Sequence, residues 1–367
     1  MTAAASTEPE APTGLRAEKL KTIDLPTAVF GLDVAPESNR LIAACMDGGI
    51  YTVNAESGTS EPLAFHGSYA SGVAWVPGSP LAVSAGYDGQ LRWHDVQARR
   101  TIRSVQAHDF WSWQMAVSTD GRHAASVTGQ YLAGGYKYEP APEHPSAVKV
   151  YNVADGELVH AFPHACPVQS VAFSPDGRYL AAGNLMGEVR VWDVNSGNQL
   201  AAWTTPDFTS WGIIKSHCYI GGIFGITFTP NSEELIVCGM GEMRDPMAGN
   251  GKQTWQRFAW RETPPRKLAE IDEKDQGRGL QETLCFHPSG NYFVMAGRLA
   301  QGKWNVAIFD SQTGALAQSM DVKSRVTKAV FSPDGQRLYL GIARGQPKKT
   351  ENGNFPDFGK IEIYSIT

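Results

Sequence analysis

Residues 168–203 hold the clearest apolar pattern in the chain. Val168-Gln169-Ser170-Val171-Ala172-Phe173 alternates apolar with polar or small positions and stops at Ser174-Pro175-Asp176-Gly177. A period of two is that of a strand, and Pro-Asp-Gly supplies the fixed φ and the left-handed residue that a tight turn needs. Arg178-Tyr179-Leu180-Ala181-Ala182-Gly183 reads as a second strand, residues 187–194 as a third and residues 199–203 as a fourth, with a turn at Asn195-Ser196-Gly197. Four short strands joined in this way make an antiparallel meander. Such a sheet is apolar on both faces, so it needs copies of itself on either side.

The rest of the chain supplies those copies. Ser-Pro-Asp-Gly returns at Ser332-Pro333-Asp334-Gly335, and looser versions stand at Ala35, Val76, Ser118, Thr229 and His287, which makes seven. Their spacing, roughly 40 to 60 residues, is that of propellers and repeat arrays. The expected fold is all-β: one domain over residues 17–367, built of seven four-stranded antiparallel blades, after an Ala/Pro/Thr/Glu-rich tail at residues 1–16 that reads as disordered. The seventh unit shows only three strands, at residues 326–331, 337–341 and 360–364. A missing fourth strand leaves a raw edge. The alternating segment Glu18-Lys19-Leu20-Lys21-Thr22-Ile23-Asp24-Leu25 has no other place and is expected to fill it, closing the ring.

The run Val189-Arg190-Val191-Trp192-Asp193-Val194, with Ser84-Ala85-Gly86-Tyr87-Asp88-Gly89 in the second unit, resembles the WD-repeat β-propeller family over essentially the whole chain after the tail. The Trp position of the third strand reads Val53, His94, Tyr151, Trp192, Phe309 and Tyr364 in six units, and Trp260 or Phe258 in the fifth. The resemblance implies a structural network in which a His near the start of a unit bonds toward a Ser or Thr on strand two and an Asp in the following turn. His66, Ser84 and Asp88 fit that pattern, with His94 in the Trp position; His108 with Ser126 and His164 with Trp192 are partial copies.

Loop lengths divide the two faces of the ring. Connections between strands one and two, and three and four, share one face and are uniformly tight. Connections between strands two and three, and from one unit to the next, share the other. Every long insertion falls there: residues 129–146, 205–221, 240–253, 298–303 and 344–359. Loops of such length are commonly functional. They carry Tyr131, Tyr136, Tyr138, Phe208, Trp211, His217, Tyr219, Met243, Arg244, Arg298 and Arg344. Tyr, Trp, Met and Arg are enriched at interface centres, so these residues are the expected partner-binding set.

Composition alters this picture little. A formal net charge of −5 gives no electrostatic case for nucleic acid or an anionic membrane. Five cysteines without a CxxC pair speak against a disulfide framework and for a reducing, cytoplasmic setting; Cys45, Cys238 and Cys285 read as small core residues. The N-terminus has neither the basic start nor the apolar run of a secretory signal. No P-loop, nucleophile elbow or HExxH stands in the chain. His144, His217, Cys218 and Glu242 lack metal-ligand spacing, and Asp207, Asp245 and Glu282 read as solvated or salt-bridged carboxylates. The expectation is therefore a monomeric, non-catalytic scaffold without cofactor or metal, binding a protein or peptide on the loop-rich face. The alternative is an enzyme, or a small-ligand or metal-binding protein, with its site at the channel mouth on that same face.

Overall fold

Seven first strands ring a central channel: Val29–Val34, Ala70–Trp75, Ser112–Val117, Val168–Phe173, Tyr219–Phe228, Gln281–Phe286 and Arg325–Phe331. The computed structural model describes residues 14–36, 40–129, 143–211, 219–242, 251–343 and 359–367, with backbone alone at 209–211 and 219–221. Each first strand starts an antiparallel meander of four strands, a blade, and consecutive blades follow one another around the ring. Blade 5 carries one strand more, Thr209–Trp211, paired with the start of its first strand. Among the described residues no helix is long and apolar enough to cross a membrane.

The core is divided rather than single. Seven hydrophobic clusters each join one blade to the next, such as Leu180 and Trp192 of blade 4 with Val148 and Phe162 of blade 3. This is what a sheet with two apolar faces requires. The Trp position lies in these seams: Val53, His94, Tyr151, Trp192, Phe258, Phe309 and Tyr364 pair with equivalent second-strand residues and are all buried. In blade 5 the position belongs to Phe258, opposite Leu235; Trp260 lies just beyond the strand and donates its Nε1–H to the Ser232 carbonyl.

Four of the repeated turns share one chemistry. Ser174 Oγ donates to Asp176 (2.5 Å) and accepts from the Tyr179 amide (2.9 Å), while Gly177 takes the left-handed φ of +71°. Ser118 with Asp120, and Ser332 with Asp334, repeat the pair, and Thr229 with Asn231 imitates it. Polar side chains of the first strands also lace neighbouring blades together. Asp33 accepts from the Trp75 amide, Gln114 from Val171 and Thr283 from Ala329; Ser71, Ser170 and Thr327 donate to the carbonyls of Ser112, Ile223 and Val29.

Ring closure comes from the N-terminus. Ala17–Leu25 pairs antiparallel with Gly359–Ile366 and becomes the outer strand of blade 7. Ile23 and Leu25 enter the seam with blade 1, and Lys19 Nζ reaches the buried Glu362 carboxylate at 2.8 Å. Burial alone would raise the Glu362 pKa, but Lys19, Lys360 and the Tyr364 hydroxyl outweigh it and hold the group below the ordinary glutamate value. Arg16 exchanges backbone hydrogen bonds with Thr367, which extends the pairing by one residue at each end.

Candidate functional site

A bulge interrupts every first strand at the same register, and it builds the channel mouth. The unpaired residues are Phe30, Ser71, Trp113, Gln169, Phe224, Glu282 and Thr327, one from each blade. A bulge re-aims its extra side chain away from the pleat. All seven line a single cavity of about 240 Å3. It opens at the end of the channel where the blade-to-blade connections arrive, which is the loop-rich face.

Aromatic rings continue outward from this cavity across blades 1 to 3. Centroids step from Phe30 to Tyr69 (6.2 Å), Tyr69 to Tyr87 (5.6 Å) and Tyr87 to Trp111 (4.7 Å), and Trp113 stacks on Tyr87 at 5.8 Å. Tyr69 and Trp111 remain 41% and 40% exposed, a large apolar area to leave in water. Blades 6 and 7 contribute charge instead. Arg325 forks onto Glu282 through two bonds of 2.6 and 2.7 Å, yet its side chain stays 42% exposed. Burial pushes the Tyr87 phenol up to about 12; the Arg325 charge across the mouth opposes that shift and Glu282 adds to it.

Phe208 corrects the expected partner-binding set. The short 3-10 turn Pro206–Phe208 tucks its ring fully into the seam between blades 4 and 5, against Ile223, so it supports the fold and offers nothing to a partner. Arg298 is exposed in a hollow that it shares with Arg325. Trp211 and Tyr219 face each other in backbone register. Tyr131, Tyr136, Tyr138, His217, Met243, Arg244 and Arg344 lie outside the described residues. Of the carboxylates considered for chemistry, Glu282 pairs with Arg325, Asp207 with Lys267 and Glu242 with Lys252, while Asp245 lies outside the described residues. Among the described residues no group of three or more His, Cys, Asp or Glu could hold a metal ion.

Sequence reasoning missed the aromatic arc because it weighed long loops, whereas Tyr69, Tyr87 and Trp111 stand in short connections. Three aromatics immediately flanking strands on the insertion-bearing face were the available signal.

The histidine network in blade 2 is continuous. Asp88 accepts from His66 Nδ1 at 3.0 Å, Ser84 Oγ sits 2.8 Å from His66 Nε2 and 2.7 Å from His94 Nε2, and Thr101 Oγ1 lies 3.0 Å from His94 Nδ1. A carboxylate only accepts, so His66 must donate from Nδ1; with both rings neutral, every later donor meets an acceptor. Burial favours a higher pKa at Asp88, but the hydrogen bond from His66, with the Gly67 and Gln90 amides, holds it at about 2. A Cβ on Gly86 would fall 2.5 Å from His66 Nδ1, so glycine makes room for the ring. In blade 3, His108 Nε2 lies 3.0 Å from Ser126 Oγ. Blade 4 has Ala182 at the equivalent place, and the buried His164 has no side-chain partner among the described residues, only the backbone of Ala165 and Ala182 beside its ring.

Two substitutions should therefore move stability in opposite directions. His66→Ala strands Ser84 and Asp88 and should cost about 1–3 kcal/mol, whereas Ala182→Ser gives His164 a hydroxyl and should add about 1 kcal/mol. Denaturant unfolding of both variants checks the pair; an Ala182→Ser protein no more stable than the parent would refute the stated role of that position.

Comparison with known proteins agrees with this geometry. The model of the WD domain, G-beta repeat family matches residues 156–193, the outer strand of blade 3 and the first three strands of blade 4. The chain is similar to the WD repeat-containing protein slp1 of Schizosaccharomyces pombe, at 22% identity over 87% of this chain and 58% of that one. It is also similar to an uncharacterized WD repeat-containing protein of Deinococcus radiodurans, at 27% identity over 49% of this chain and 66% of the other. Actin-interacting protein 1 of Drosophila melanogaster is 22% identical over 52% of this chain and 27% of its own length. The matches thus span less than two thirds of each relative. One matched repeat, similarity to WD-repeat proteins along most of the length and a closed ring of seven four-stranded blades show a seven-bladed β-propeller that contains a WD repeat and is distantly similar to WD-repeat proteins.

Proposed function

We propose that this propeller is a non-catalytic interaction scaffold that receives a protein or peptide on its loop-rich face, over the channel mouth. The observation that carries the reading is the contrast between faces. One ends in tight turns held by their own Ser–Asp bonds; the other bears the insertions, the arc of Tyr69, Tyr87 and Trp111, and exposed arginines. Rings and arginines around a concave centre are what interface hot spots are made of. A relative named for interacting with actin supports a protein as the class of partner. The mechanism is rigid presentation: the closed ring fixes the loop bases, so little ordering entropy is lost on binding. The mouth itself, at about 240 Å3, suits one inserted side chain better than a whole small ligand, whose pockets run from about 300 Å3 upward.

Two sets of substitutions test this against a partner co-purified from the native host. Tyr69→Ala and Trp111→Ala should each weaken binding by about 2 kcal/mol, roughly thirty-fold. Asn195→Ala and Gln336→Ala, exposed positions of the tight-turn face, should leave it unchanged. The reverse pattern would show that the other face is the binding one.

A further inference from the structure

We infer that the occupant of the channel mouth is an extended acidic peptide, which seats one apolar side chain among Phe30, Trp113 and Phe224 and pairs a neighbouring carboxylate with Arg298 and Arg325. The inference rests on the scaffold reading and adds the chemistry of the partner. Three observations carry it.

The first is shape. The bulge ring gives the cavity three aromatic walls from blades 1, 3 and 5, and its small volume fits a single Leu, Met or Phe side chain. The second is the exposed arc. Tyr69 and Trp111 leave an apolar track in water beside the cavity, which the residues flanking an inserted side chain would cover.

The third is charge. Arg298, Lys323, Arg325 and Lys328 crowd the blade 6–7 side of the mouth, against Asp321, Glu282 and the buried Asp33 that Lys328 acts on. Arg298 and Lys328 have no carboxylate at ion-pair distance among the described residues. A local excess of cations on a chain of formal charge −5 stands out, and it repels a basic peptide while attracting an acidic one. The exposed rings of Tyr69 and Trp111 then continue the apolar path away from the cations, so acidic and apolar residues in the ligand would meet opposite sides of the mouth.

Panning a randomised dodecapeptide display library on the immobilised full chain tests the inference. Enriched peptides should combine Asp or Glu with Leu, Met or Phe. As free labelled peptides they should lose ten-fold or more in affinity for Arg298→Glu and for Trp111→Ala, and recover with Trp111→Phe. Both positions are exposed, so the variants should melt like the parent, which separates lost contacts from lost fold. Raising salt from 50 to 500 mM should weaken binding several-fold. Basic or uncharged consensus peptides, no enrichment at all, or acidic peptides that bind both variants like the parent would each overturn the inference. In the first two cases the scaffold reading survives with a different partner. Acidic peptides that ignore these variants but fail on Asn195→Ala and Gln336→Ala would remove both.

Discussion

Removing residues 1–25 is expected to leave no soluble, cooperatively folding protein, while a chain that starts at Gly14 should melt like the full-length one. The larger deletion strips the outer strand from blade 7. It exposes the surfaces that Ile23 and Leu25 cover, at about 1.5–3 kcal/mol for each large side chain. It also takes Lys19 from Glu362, leaving a buried carboxylate with one fewer cation. The loss, on the order of 5 kcal/mol or more, rivals the whole stability of an ordinary domain. Gly359–Ile366 would at the same time become a bare edge open to pairing between molecules. Thermal melts and size-exclusion profiles of the two truncations decide the matter. Equal behaviour would mean that the ring does not depend on this strand.

Acid should unfold the protein through its buried histidines. Burial, seconded by nearby cations, pushes His94, His108 and His164 down to about 3, against an ordinary value of 6.5. Each stays neutral in the folded chain and takes up a proton on unfolding once the pH drops below 6.5. The stability they contribute is therefore complete above 6.5 and is lost as the pH falls toward 3. The loss is about 1.4 kcal/mol per pH unit for each group. Asp33 works in the opposite sense. Burial outweighs its bonds from the Trp75 and Val34 amides and raises it to about 6, so its contribution is full below 3.8 and fades as the pH rises through 6. One carboxylate offsets only part of three imidazoles. Melting temperature should fall from about pH 6.5 to pH 4.5, and below pH 6, where Asp33 offsets one of the three imidazoles, the slope should shrink by about half in His164→Leu. An unchanged melting temperature across that range would contradict the protonation states assigned here.

Blade number and turn positions could be read from the chain because both follow from a turn motif that recurs along it. Ser-Pro-Asp-Gly fixes φ, offers a side-chain acceptor and supplies a left-handed residue, so it marks the end of a first strand wherever it occurs. The closing strand was legible by elimination, from one alternating segment and one blade short of a strand. The register of blade 5 was not, since Phe258 and Trp260 stand two residues apart and both are buried; only pairing with Leu235 distinguishes them.

The site was legible at lower resolution. Counting loop residues identifies the built-up face, but not which side chains there reach the channel. A bulge changes no residue type, so the aim of Trp113 or Gln169 into the mouth leaves no mark in an alternating strand. Phe208 fails in the other direction. An aromatic in a long connection looks exposed, and a three-residue 3-10 turn is enough to bury it.

Amide hydrogen exchange of the full chain, with and without its captured partner, tests the central claim most directly. Binding over the channel mouth predicts slowed exchange in the backbone around Tyr69, Tyr87, Trp111 and Arg298, with the turns at 174–177 and 332–335 unchanged. Protection confined to those turns, with the mouth exchanging as freely as before, would contradict the account.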